Sequence, residues 1–106
     1  YMSFRIQFTS GARQDLRDIF EYIAFELLVP DTAKAQTKRI IDEIRTLDVF
    51  PMRYPLYEDE PWHSIGLRFF PIDNYLIFYR TDEEKEIVSI VRIMYGGRDI
   101  SRQLSE

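Results

Sequence analysis

The stretch Glu86-Ile87-Val88-Ser89-Ile90-Val91-Arg92-Ile93-Met94-Tyr95-Gly96-Gly97 is apolar on both of its alternating sets. Ile87, Val91, Ile93 and Tyr95 fall on one set, and Val88, Ile90 and Met94 on the other. A strand with one face in water alternates polar and apolar residues, so this one is expected inside a sheet with both faces covered. Its charge is out of pattern: Arg92 stands in the set of Val88, Ile90 and Met94. The paired glycines end it.

Working back towards the N-terminus, two more strands are expected, over about Gly66 to Ile72 and Tyr75 to Thr81. Their connectors, Asp73-Asn74 and the acidic run at 82–86, are short and polar, as antiparallel hairpins require. The three strands form an antiparallel meander. Before it, Met52 to Ser64 shows no period and Pro51, Pro55 and Pro61 punctuate the region. A loop of that length in a compact domain is expected to be functional or mobile. Ile40, Ile41, Ile44 and Leu47 make the stripe of a helix capped by Asp31 and closed at Phe50-Pro51. Leu16, Ile19, Phe20, Ile23 and Leu27 make the stripe of an earlier helix. That helix opens at Thr9-Ser10-Gly11 and ends near Val29, because Pro30 disfavours helical geometry in the residue before it. Joined by so short a turn, the two helices pack as an antiparallel hairpin. Ser3 to Thr9 alternates as a half-buried strand, and Arg98 to Leu104 reads as a tail or a helical turn. The fold class is α+β: an N-terminal strand, a two-helix hairpin and a three-stranded meander with a short C-terminal tail.

The totals agree with one domain over residues 1–106, with 45% hydrophobic and 15% aromatic residues. Without cysteine, the chain has no disulfide, no cysteine-ligated zinc and no thiol nucleophile, and no metal or cofactor is expected. The longest apolar run, Tyr75-Leu76-Ile77-Phe78-Tyr79, falls far short of the ~20 residues of a membrane span. The first residues lack the pattern of an export signal, so a cytoplasmic location is expected. A net charge of −4 disfavours a sequence-blind polyanion binder, which needs surplus positive charge to displace counterions.

The order of elements, and the ending Val91-Arg92-Ile93-Met94-Tyr95-Gly96-Gly97-Arg98-Asp99-Ile100, resemble the RelE/ParE toxin superfamily over nearly the whole chain. The decapeptide is similar to the last strand and Arg-Asp-Ile ending of ParE-like members. Tyr75-Leu76-Ile77-Phe78-Tyr79-Arg80 and the Ser10-Gly11-Ala12 opening of the first helix support it. The resemblance implies a toxin of a type II, plasmid-stabilisation-type toxin–antitoxin module. It implies a cognate antitoxin that wraps the toxin with a helix and an extended segment, and that itself supplies any sequence-specific DNA binding. RelE-like members cut messenger RNA on the ribosome; ParE-like members poison DNA gyrase.

A metal-free ribonuclease needs a base, cations and an acid in one cleft to activate a 2′-hydroxyl, stabilise a phosphorane and protonate the leaving oxygen. Arg68, Arg92 and Tyr95 are the candidates, with His63, the single histidine, a weaker one. Each has a structural alternative. Arg92 pairs internally with a residue such as Asp99 or Glu86, Tyr95 packs with a wet hydroxyl, and His63 stands beside Trp62 without a triad-like partner. Arg80, Arg98, Asp99, Tyr75 and Tyr79 are candidate binding residues; the structural alternatives are that Arg98-Asp99 pins the tail to the sheet and that Tyr75 and Tyr79, on one strand face, serve core or interface. Several ribonuclease features are missing. Trp62-His63-Ser64-Ile65 stands where RelE-like nucleases carry lysines, Leu76 where they place an arginine, and the late tyrosine of some members falls near Leu104. Of the His-Tyr pair that closes YoeB-like members, Met94-Tyr95 keeps only the tyrosine. The favoured reading is therefore a toxin that inhibits gyrase by binding. The alternatives are a ribosome-dependent endoribonuclease and a non-toxic antitoxin-binding remnant.

Overall fold

The computed structural model describes residues 3–96 and 100–105. Four strands form one sheet in the order β1-β4-β3-β2: β1 is Arg5–Phe8, β2 Arg68–Ile72, β3 Tyr75–Asp82 and β4 Ile87–Tyr95. The meander is present, and β4 is interior as its two-sided apolarity requires, with β3 antiparallel on one flank and β1 parallel on the other.

Helix α1, Ser10–Glu21, begins where the Thr9 hydroxyl accepts the Ala12 N–H. It continues as a π-helical turn, Tyr22–Glu26, and the chain then bends through Leu28, whose φ of 59° is left-handed. Helix α2 spans Pro30–Arg45. Asp31 does not cap it: Val29 holds the cap position, with no side-chain bond, and Pro30 occupies the first turn. The fixed φ of proline and its missing N–H suit that place, so the helix starts two residues earlier than a capping Asp31 would allow. Asp31 then lies in the first turn, where a carboxylate complements the helix dipole. A 3-10 turn over Thr46–Asp48 and the left-handed Phe50 close the helix ahead of Pro51.

The hairpin lies on one face of the sheet. Ile40, Ile44 and Leu47 pack with Ala12 against Phe70, Ile77, Tyr79, Val88, Ile90 and Ile93. The region after Pro51 is more ordered than its lack of period suggests. Leu56 bridges Arg68, and Tyr57 and Trp62 pack on the opposite face over Leu67, Phe78 and Met94. The short helix α3, Ile100–Leu104, joins that cover through Ile100 and Leu104. No helix among the described residues is long and apolar enough to cross a membrane.

One irregularity overrides the alternation read from sequence. Phe78 pairs with Arg92 but Tyr79 with Ile90, leaving Val91 as an extra residue on β4. The bulge changes parity, so Ile93 joins Val88 and Ile90 on the helix face while Met94 faces away with Val91. Strict period-2 counting had placed Met94 with Val88 and Ile90.

Candidate functional site

Beyond Ile90, β4 has no strand on its outer flank among the described residues, because β1 pairs only as far as Phe8. Side chains of α1 close that flank instead. The Thr9 hydroxyl donates to the Val91 carbonyl at 2.9 Å, and Asp15 accepts the Ile93 N–H at 2.9 Å. The same carboxylate takes the Arg92 guanidinium in a two-pronged pair, Nε at 2.7 Å and Nη2 at 3.1 Å. Arg92 also donates to the Gln103 carbonyl of α3 at 3.3 Å. Both members of the pair are largely covered, with side chains 24% and 12% exposed. Gly11 fits this crossing: a Cβ there would meet Arg92 Cδ at 3.3 Å and the Val91 carbonyl at 3.5 Å.

The out-of-pattern arginine is thus held in an ion pair, with Asp15 rather than Glu86 as partner. Asp99, the other partner considered, lies outside the described residues together with Arg98, so the binding roles expected of those two concern undescribed positions. From sequence, Thr9 and Asp15 stand only in the opening of the first helix, without a contact to β4. A carboxylate on the flank of an apolar helical stripe was the available signal, and nothing local tied it to an arginine 77 residues away.

The remaining candidates are dispersed. Arg68 pairs across the sheet with Tyr79, hence on the helix face, and its Nη1 donates to the Tyr54 carbonyl at 2.7 Å. Arg92 pairs with Phe78, which belongs to the other face. Tyr95 is half exposed and its ring meets Tyr75 edge to face, with centroids 5.9 Å apart. His63 sits in the exposed turn before β2, and the exposed Arg80 donates from Nε to the Ile65 carbonyl at 3.2 Å. Tyr79 serves the core rather than a surface. It is wholly buried, its hydroxyl donates to the Pro51 carbonyl, and burial pushes its pKa up to about 12. Burial also raises Tyr75, with the neighbouring Tyr95 and Tyr22 adding to the shift.

Tyr22, Tyr75 and Tyr95 border a concavity of the surface. A groove of about 830 Å³ runs between α1 with its π-turn and the end of β4, lined by Ile19, Tyr22, Leu27, Val29, Tyr75 and Tyr95 among others. Beside it, Phe25 and Leu28 are 67% and 77% exposed. The signal for this patch was present in the sequence. From Ile19 to Val29 the apolar residues exceed any single helical stripe, and a helix apolar all round needs cover on more than one side.

The family model for the ParE toxin of type II toxin–antitoxin systems matches residues 6–100. The chain belongs to the ParE toxin family. It is therefore a type II toxin of the RelE/ParE superfamily, and the strand, helical hairpin and meander are the fold of that group. The chromosomal ParDE system of P. aeruginosa contains a similar structure, with a TM-score of 0.71 and 19% identity, covering 88% of this chain and 96% of that one. The RelBE2 toxin–antitoxin complex of Mycobacterium tuberculosis matches with a TM-score of 0.63 and 22% identity, covering 88% and 98%. A mutant of the E. coli toxin RelE in its free state matches with a TM-score of 0.63 and 13% identity, covering 99% and 94%. No curated protein matches the chain in sequence.

Proposed function

We propose that this ParE-family toxin arrests growth by binding an essential machine in the cytosol, DNA gyrase being the first candidate, and that a cognate antitoxin neutralises it by covering exposed apolar surface. The observation that carries the binding mode is the dispersal of the candidate catalytic groups. Arg68 and Arg92 start from opposite faces of the sheet and are engaged by Tyr54 and Asp15; Tyr95 ends the strand that carries Arg92, its ring against Tyr75, and His63 lies in the exposed turn before β2. Acid–base cleavage of RNA needs those groups within reach of one phosphate. The missing lysines before β2 support the same reading. Partner contacts are assigned to Tyr75, Tyr95 and Arg80, and to Arg98 and Asp99 just after Tyr95 in sequence, and promoter DNA is left to the antitoxin.

The test is direct. Purified toxin added to gyrase is expected to inhibit supercoiling, and added to cell-free bacterial translation it is expected to leave message ends intact by primer extension. Unimpaired supercoiling with excess toxin removes gyrase as the target. Ribosome-dependent cuts at A-site codons establish the ribonuclease instead, and normal growth on expression identifies a non-toxic remnant.

A further inference from the structure

The sixteen residues from Asp18 to Ala33 include Asp18, Glu21, Glu26 and Asp31 and contain no lysine or arginine. Their charge of −4 equals that of the whole chain: the remaining 14 acids are balanced by the 14 basic residues elsewhere. Among the described residues none of these four acids forms an ion pair. Only Asp18 has a side-chain partner, the neutral Gln14 amide at 2.8 Å. The same stretch carries the exposed apolar cluster of Tyr22, Phe25, Leu27, Leu28 and Val29. Unneutralised carboxylates, contiguous apolar surface and a tyrosine-bordered groove therefore coincide at one end of the helical hairpin.

We infer that this hairpin tip and groove dock a segment of the antitoxin that is both apolar and cationic. Large aliphatic or aromatic side chains of the segment enter the groove, and its lysines or arginines meet Asp18, Glu21, Glu26 and Asp31. The groove volume falls in the range of sites that enclose several side-chain-sized groups. The tyrosine faces suit a cation as well as an apolar contact. Charge decides between occupants. A second copy would set −4 against −4, and nucleic acid or anionic lipid would be repelled likewise, whereas a basic amphipathic segment is attracted and steered.

The inference rests on the antitoxin reading above, and the test separates the two. The antitoxin used is the purified product of the reading frame adjacent to the toxin's own, titrated by calorimetry into the intact toxin at several salt concentrations. Glu21→Lys with Glu26→Lys is expected to weaken binding at least tenfold and to flatten its salt dependence. Phe25→Ser with Leu28→Ser is expected to weaken it at least tenfold with the salt dependence kept. Because all four positions are exposed, each double variant is expected to keep the melting temperature of the parent. Glu58→Lys with Glu84→Lys, in acidic runs away from the tip, is expected to bind as the parent does. Parent-like binding by both tip variants overturns the inference while leaving the antitoxin reading intact. Equal weakening by the Glu58 and Glu84 exchange overturns it as well, because the effect is then one of net charge. No binding by the parent toxin ends both.

Discussion

The two ends of the helical hairpin treat apolar residues in opposite ways. At its base, Ile40, Ile44 and Leu47 are fully buried against the sheet, and polar groups nearby are matched, from the Tyr79 hydroxyl on Pro51 to the Asp15 carboxylate on Arg92 and Ile93. At its tip, Tyr22, Phe25, Leu27, Leu28 and Val29 stay in water, and the carboxylates around them form no ion pair among the described residues. Scattered exposed apolar residues are ordinary, but a contiguous cluster beside a groove marks a surface meant to be covered. The base carries the larger buried cluster; the tip has only the small one of Ile23, Ala24 and Ala33, and its exposed side chains are available for recognition.

Substitutions at the base should have the largest effect. Ile44→Ala removes a fully buried side chain from the helix–sheet contact and is expected to cost about 2–5 kcal/mol in denaturant unfolding. A cost below about 1 kcal/mol would mean that the hairpin is not seated as described. Asp15→Ala removes the two-pronged Asp15 contact from the largely covered Arg92 and deprives the Ile93 N–H of its acceptor. A loss of about 2–4 kcal/mol is expected, scaled down from a fully buried pair because both side chains retain some exposure. Adding Arg92→Met should recover part of that loss, and the double-mutant cycle measures the coupling. Additive losses would show that the clamp is not a unit.

The contrast between base and tip explains what the sequence disclosed and what it withheld. Periodicity located both helices and all four strands, since burial on one face leaves a period of 3.6 or 2 in the apolar residues. It failed where an interaction spans the chain. The extra residue at Val91 reverses the facing of Arg92 and Met94, and the pairing that produces it involves Phe78 and Tyr79 on another strand. Asp15 became visible only once that geometry brought α1 to β4. The tip was legible in principle, because nine of the eleven residues from Ile19 to Val29 are apolar, more than the hairpin needs to pack. Counting the stripe hid the surplus.

Tyr79 sharpens the account of the base through pH. Tyr79→Phe removes the hydroxyl and leaves the Pro51 carbonyl without its partner, an expected loss of about 1–2 kcal/mol at neutral pH. The folded pKa of Tyr79, about 12, stands above the ordinary value of 10.0 because burial disfavours the phenolate. Its contribution to stability is therefore complete below pH 10 and is lost as pH rises towards 12. The loss over that window is on the order of 2–3 kcal/mol for a group with no exposed surface. Chemical denaturation of the parent and the variant across the window should show a shallower decline in the variant. Parallel declines would mean that the ring is not shielded in the native state.

The smallest effect belongs to the tip. Leu28 is 77% exposed and holds a φ of 59°, a conformation that crowds a Cβ and favours glycine. In Leu28→Gly the relief of that crowding is opposed by the greater freedom of glycine in the unfolded chain, so stability should change by no more than ~1 kcal/mol, on the side of a gain. The same leucine at the base would cost several times as much to remove. A melting temperature equal to or above that of the parent fits a leucine retained for contact with a partner, whereas a marked drop would place Leu28 in the folding core and erase the distinction between the two ends.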